Sequence, residues 1–134
     1  MPCPCGLPAA YDACCGRFIA GPRHAETAEQ LMRSRYTAYV KGAVDYLIVT
    51  TTIASRAGID RVALVAYCRT LRGISLKILG TVAGGPIELH GVVEFAATLR
   101  AGGRKFVQRE RSRFVVEDGR WVYVDGELGE RPVN

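Results

Sequence analysis

Near Ile74 the apolar residues change their period, and this restricts the folds open to the chain. Upstream, Ala28, Leu31, Met32, Tyr36, Tyr39, Val40, Ala43 and Leu47 recur three or four apart, as on one face of a helix. Downstream the spacing is two. Ile74, Leu76, Ile78 and Val82 alternate with Ser75, Lys77 and Thr81. Ile87, Leu89, Val93, Phe95, Ala97 and Leu99 then share one face of a long strand, with Glu88, His90, Glu94 and Thr98 on the other. Helices first and strands afterwards exclude an alternating parallel α/β layout. The expectation is an α+β fold, with helices on one face of an antiparallel sheet.

Local signals divide each half. Thr27-x-x-Gln30 reads as a capping box. Gly42 separates a helix over 27–41 from a shorter one over 43–50. Thr50, Thr51, Thr52 and Ser55 make a polar joint, and a third helix starts near Gly58 and ends around Cys68. Cys68 lies among apolar neighbours and reads as a small buried hydrophobe. Gly84-Gly85-Pro86 and Ala101-Gly102-Gly103 are turns, and a strand runs from Lys105 to Glu117. Asp118-Gly119 is a two-residue hairpin signal leading into a strand from Trp121 to Asp125.

That hairpin sets a register. It pairs Glu117 with Arg120, Val116 with Trp121, Phe114 with Tyr123 and Ser112 with Asp125. Glu110, Ser112, Phe114, Val116, Trp121, Tyr123 and Asp125 then share a face that is aromatic at one end and polar at the other. Such a face suits a core with a wet edge. It also suits a pocket lined by Glu110, Ser112, Phe114, Trp121, Tyr123 and Asp125. Arg109, Arg111 and Arg113 project from the opposite face. On the helix, Arg33 and Arg35 are two apart and flank the apolar stripe, as solvated residues do. The two histidines, His24 and His90, have no nucleophile partner in the sequence and read as surface residues.

The first fifteen residues carry four of the five cysteines, as Cys3-Pro4-Cys5-Gly6 and Cys14-Cys15-Gly16. No basic segment followed by an apolar one opens the chain, and no apolar run reaches the roughly 18 residues of a membrane span. A cytoplasmic location follows as the expectation. Cysteines clustered there serve as metal ligands before disulfides. Four thiolates in a closed tetrahedron make a structural site, with zinc as the expected ion and iron the alternative. Adjacent ligands need a bend between Cys14 and Cys15, since neighbouring side chains otherwise point apart.

The cysteine stretch, with Tyr11 inside it, resembles the SEC-C motif, the zinc-binding element at the end of the SecA translocation ATPase. All four ligand positions match, as Cys3, Cys5, Cys14 and Cys15. Leu7-Pro8 departs from the usual Ser-Gly. A wider resemblance covers nearly the whole chain. Leu31-Met-Arg-Ser-Arg-Tyr36-Thr-Ala-Tyr39, Asp45-Tyr46-Leu47, Glu110-Arg-Ser112-Arg-Phe114 and Gly119-Arg-Trp121-Val-Tyr123-Val-Asp125-Gly126 are similar to the YchJ-like family of bacterial proteins. The likeness implies a SEC-C unit over residues 1–20 and a nuclear-transport-factor-two-like domain over 21–134. In that fold helices pack in the concave side of a curved antiparallel sheet, a cone shared with cystatin-like proteins.

Two departures bear on function. Thr50-Thr51-Thr52-Ile53 replaces the family's usual Thr-Trp-His-Pro, and Arg109 replaces a histidine. Both exchanges remove a general acid–base residue. The balance then falls toward a protein-interaction module docking through the cysteine motif, rather than an enzyme. The resemblance implies a chaperone, translocation or ribosome partner. Two alternatives stand beside it. One is a small-molecule site in the cone. The other is nucleic-acid or ribosome contact through a basic surface of Arg17, Arg33, Arg35, Arg109, Arg111 and Arg113. A formal charge of +5 permits the last without demanding it. Loss of the metal is expected to unfold only residues 1 to about 20, since the rest has its own core.

Overall fold

The computed structural model describes residues 2–128. Five helices come first: α1 (Gly16–Ile19), α2 (Ala28–Lys41), α3 (Val44–Val49), α4 (Ile53–Arg56) and α5 (Arg61–Thr70). Four strands follow: β1 (Leu71–Ala83), β2 (His90–Ala101), β3 (Arg104–Glu117) and β4 (Arg120–Leu128). They form one antiparallel sheet in the order β1-β2-β3-β4. The expected α+β architecture is therefore present. Met1 and residues 129–134, the outer ends of the two expected units, lie outside the described residues.

Helix α2 is the central helix. Thr27 caps it by accepting from the Gln30 N–H at 3.0 Å. Gln30 Oε1 returns to the Glu26 N–H at 2.8 Å, one residue earlier than a strict capping box. Gly42 ends the helix with φ +76°, a left-handed conformation that glycine takes without a Cβ penalty. The buried face of α2 lies against β1, β2 and β4. The approach to β1 is close. A Cβ on Gly73 would stand 2.6 Å from the Tyr36 hydroxyl and closer still to Val40.

Bulges curve the sheet around α2. On β1 the extra residues are Ile74 and Leu79, and on β4 the extra residue is Val124. Each bulge reverses the alternation. Ile74 and Val82, expected on the inner face, are exposed, while Leu71 and Leu76 are buried. On β2 the expected alternation stands, with Val93, Phe95, Ala97 and Leu99 all buried. Ile87 and Leu89 were expected to continue that face. They lie before β2 in the connecting loop, and Ile87 is 95% exposed.

The hairpin forms as expected, with positive φ at Asp118 and Gly119. Glu117 pairs with Arg120, Val116 with Trp121 and Phe114 with Tyr123. Beyond Val124 the register slips, so Ser112 pairs with Gly126 and Arg113 with Asp125. The joint after α3 bridges to the far edge of β4 at Tyr123. Thr50 O accepts from the Tyr123 N–H at 2.7 Å, and Thr52 N–H donates to Tyr123 O at 3.1 Å. At Tyr123 the edge is therefore closed to another strand. Among the described residues no helix is long and apolar enough to cross a membrane.

Candidate metal centre

The N-terminal turn forms around its thiols. Cys3 N–H donates to Ala9 O at 2.8 Å, and Pro2 bridges to Ala10, closing a loop. Gly6 turns that loop with φ +97°. A 3-10 turn over Tyr11–Ala13 then delivers Cys14, whose φ of −125° and ψ of −115° belong to neither helix nor strand. Cys15 is already in helical geometry as the cap of α1. This break in the backbone brings two adjacent side chains to one point, as the sequence requires.

The four Sγ atoms lie within 4.8 Å of one another, and all four cysteines are buried. Cys5 Sγ is 3.6 Å from Cys14 Sγ. Four sulfurs about 2.3 Å from a tetrahedral ion stand about 3.8 Å apart, so the cage fits such an ion. A disulfide would need about 2.05 Å, and all five cysteines are free. On such an ion four protein donors would complete a tetrahedron and leave no open position for substrate, the arrangement of a structural site.

Protons are unevenly shared in the cage. Hydrogen bonding from Cys15, helped by the Leu7 backbone, lowers the Cys5 thiol to about 5 against the effect of burial. Burial, reinforced by Cys5, pushes Cys14 up to about 11. The hydrogen bond to Cys5 pushes Cys15 well above the ordinary thiol range. One thiolate is stable by itself, but several together need a cation among them.

Helix α2 and two arginines support the cage. Thr37 Oγ1 donates to Cys15 Sγ at 3.3 Å and lies 3.8 Å from Cys3 Sγ. Arg33 Nη1 donates to Cys5 O at 2.9 Å, and Arg17 Nε to Cys14 O at 2.9 Å. Arg17 and Arg33 are thus half-buried braces of the loop, positioned to offset thiolate charge. The cysteines join the same buried cluster as Leu31, Met32 and Tyr36, so the segment is docked on the domain.

The remaining expected site residues separate into three places. Glu110, Ser112 and Tyr123 line a cavity of about 160 Å³ between α2, α5 and the inner sheet face. There Glu110 Oε2 accepts from Ser112 Oγ at 2.8 Å and Tyr123 OH at 3.2 Å. Gln108 Nε2 donates to Glu110 Oε1 at 3.0 Å. Phe114 and Trp121 are core residues instead of cavity lining, and Trp121 Nε1 donates to Glu26 O at 3.1 Å. Asp125 was expected in the pocket. The bulge at Val124 turns it to the outer face, where Arg113 Nε donates to it at 2.7 Å and lowers its pKa.

Among the expected basic contacts, Arg109 and Arg111 stand on the outer face beside Glu94, with Arg113 beside Asp125. Arg35 does not belong with them. It is 7% exposed, and its Nη1 donates to Leu47 O at 2.9 Å and Thr50 Oγ1 at 2.7 Å. Its guanidinium lies 4.7 Å from the centre of the Tyr123 ring. Burial lowers its pKa, opposed by Tyr39, Tyr123, Tyr46 and Glu110. The signal for this was present in the sequence: Leu31, Arg35 and Tyr39 recur at four and share a helix face. The two histidines are exposed, as expected.

A family model described as "YchJ, middle NTF2-like domain" matches residues 27–126. A UPF0225 protein of Streptomyces avermitilis is 45% identical over 128 residues, which cover 96% of this chain and 85% of that protein. The chain belongs to the YchJ-like UPF0225 family. A second UPF0225 relative, from Streptomyces coelicolor, is 43% identical over 95% of each chain. Two solved SEC-C motif containing proteins share the fold of this YchJ-like chain. The one from Rhodopseudomonas palustris has a TM-score of 0.86 at 37% identity, over 97% of this chain and all of that one. The one from Psychrobacter arcticus has a TM-score of 0.81 at 25% identity, over 99% of this chain and 85% of that one.

Proposed function

We propose that this YchJ-like protein holds one structural zinc ion on Cys3, Cys5, Cys14 and Cys15 and uses the loop so shaped to dock a protein partner. The observation that carries this reading is the contrast across the cage. The sulfurs are buried, while Gly6, Leu7, Pro8, Ala9 and Ala10, the loop they anchor, are all exposed. A short apolar loop with fixed ends loses little entropy on binding, as a docking surface should. The likeness of the motif to that of SecA makes a chaperone, translocation or ribosome component the partner class to test first. Zinc is preferred over iron because a closed set of four thiolates needs no redox change to shape a surface.

The test has two parts. Metal analysis of the purified protein should give one zinc per chain; four freely titrating thiols and no stoichiometric metal would overturn the metal reading. Cosedimentation with ribosomes, and pull-down with export chaperone, should be lost in Cys14→Ser and in a Leu7→Asp, Pro8→Ser double variant. Binding that survives the loop change in a zinc-loaded protein would overturn the docking reading alone.

A further inference from the structure

Arg35 is a buried cation without a buried anion. It forms no ion pair among the described residues. Its three bonds, to Leu47 O, Thr50 Oγ1 and Thr51 Oγ1, all leave through Nη1. Nε and Nη2 donate to no described protein atom. No sealed side-chain donor among the described residues lacks a partner, so these nitrogens keep some access to solvent, and Arg35 lines the cavity. The Nε edge of a guanidinium offers two parallel N–H groups, the fork that binds a carboxylate through both oxygens. A buried charge without a counter-charge is costly, and an incoming anion reduces that cost.

Glu110 cannot fill this role within the fold. Its carboxylate is held by Gln108, Ser112 and Tyr123, and the Tyr123 ring lies against the guanidinium. The three donors leave about one of the four lone-pair positions of Glu110 free, since a carboxylate accepts up to about four bonds. The cavity therefore presents a donor fork at Arg35 and an acceptor at Glu110. The apolar part of the lining includes Phe95, Leu71 and Leu99. At about 160 Å³ it is smaller than the roughly 300–1,000 Å³ of clefts that take drug-sized ligands.

We propose that the cone cavity is a binding site for a small organic acid carrying a hydroxyl or amino group, its carboxylate on Arg35 and its donor on Glu110. The site is separate from the metal centre and adds a ligand to the proposed docking function. The probes are 4-hydroxybenzoate, its neutral analogue 4-hydroxybenzamide, and inorganic phosphate, read by protein NMR shifts and thermal melting at two salt concentrations. The acid should shift resonances of Tyr36, Phe95 and Tyr123 and raise the melting temperature. The amide should bind at least tenfold more weakly. Binding should change little with salt, because a buried pair is poorly screened, whereas binding on Arg109, Arg111 and Arg113 would fall steeply.

Ala97→Leu fills the cavity without removing a polar group, and Arg35→Lys removes the fork while keeping the charge. Both should abolish the shifts. If either variant fails to fold, the selectivity of the unaltered protein decides. Equal binding of acid and amide, shifts confined to the outer arginines, or no binding of the acid at millimolar concentration would overturn the proposal.

Discussion

Thr37 Oγ1 donates to Cys15 Sγ across 3.3 Å, joining the middle of α2 to the ligand set of the N-terminal turn. The central helix of the domain is thus also the floor of the cysteine cage. Bonds of this kind to a ligand orient it and tune its basicity.

Thr37→Val keeps the shape of the side chain and deletes the donor. Zinc affinity, measured by competition with a chelating dye, should fall about 10- to 100-fold, the usual cost of losing such a partner. Stoichiometry should remain one per chain. An unchanged affinity would show that Cys15 is oriented by the backbone alone.

Chelation should act on more than the first twenty residues. The cysteines, Phe18, Leu31 and Met32 belong to one buried cluster. Removing the ion frees the loop and loosens that shared packing. The far-ultraviolet signal of the sheet should persist, while the melting temperature of the whole domain falls by several degrees, since 1 kcal/mol is worth about 2–8 °C in domains of this general size. A melting curve unchanged by chelation would restore the picture of an independent appendage.

Metal binding should weaken on acidification. Cys14, pushed up to about 11, and Cys15, pushed higher, hold protons at neutral pH that the ion must displace. A raised pKa means tighter proton binding, so each proton released costs affinity as pH falls. Release of these two protons alone predicts a loss of at least about a hundredfold per pH unit below neutrality. Below about 5 the Cys5 thiolate is also protonated, and the dependence should steepen there. An affinity flat between pH 5 and 7 would contradict this account of the cage.

Gly73→Ala should destabilise the domain by about 1–3 kcal/mol, the usual cost of overpacking a tight contact. The added methyl meets Val40 and the Tyr36 hydroxyl, both on α2. Gly80→Ala, on the same strand with nothing within 4 Å, is the control and should stay within about 0.5 kcal/mol. Urea unfolding of the two variants reads the difference. Equal stabilities would mean that α2 can move away from β1 at no cost.

Some positions of the site were legible because their signals are local. Four cysteines at fixed spacing need only a short turn to converge, and their neighbours supply it. The Asp118-Gly119 hairpin forms within a few residues, and its pairing is readable as far as Phe114 and Tyr123. Alternation alone puts Asp125 on the inner face, and one extra residue, Val124, between it and the hairpin turns it outward. Alternation carries no warning of a bulge, since curvature is set by the helix that the sheet must wrap. Ile74 and Val82 depart from the alternation for the same reason.

The sequence by itself determined the order of helices and strands, the hairpin, and the cluster of four cysteines. Each depends on residues close in the chain, where spacing alone decides which side chains meet. Only the tertiary structure decided that α2 underlies the cysteine cage, that Arg35 is buried, and that Glu110 shares its cavity. Those facts depend on how far the sheet bends around α2. That bend is an outcome of packing between elements 40 to 90 residues apart, which no local period records.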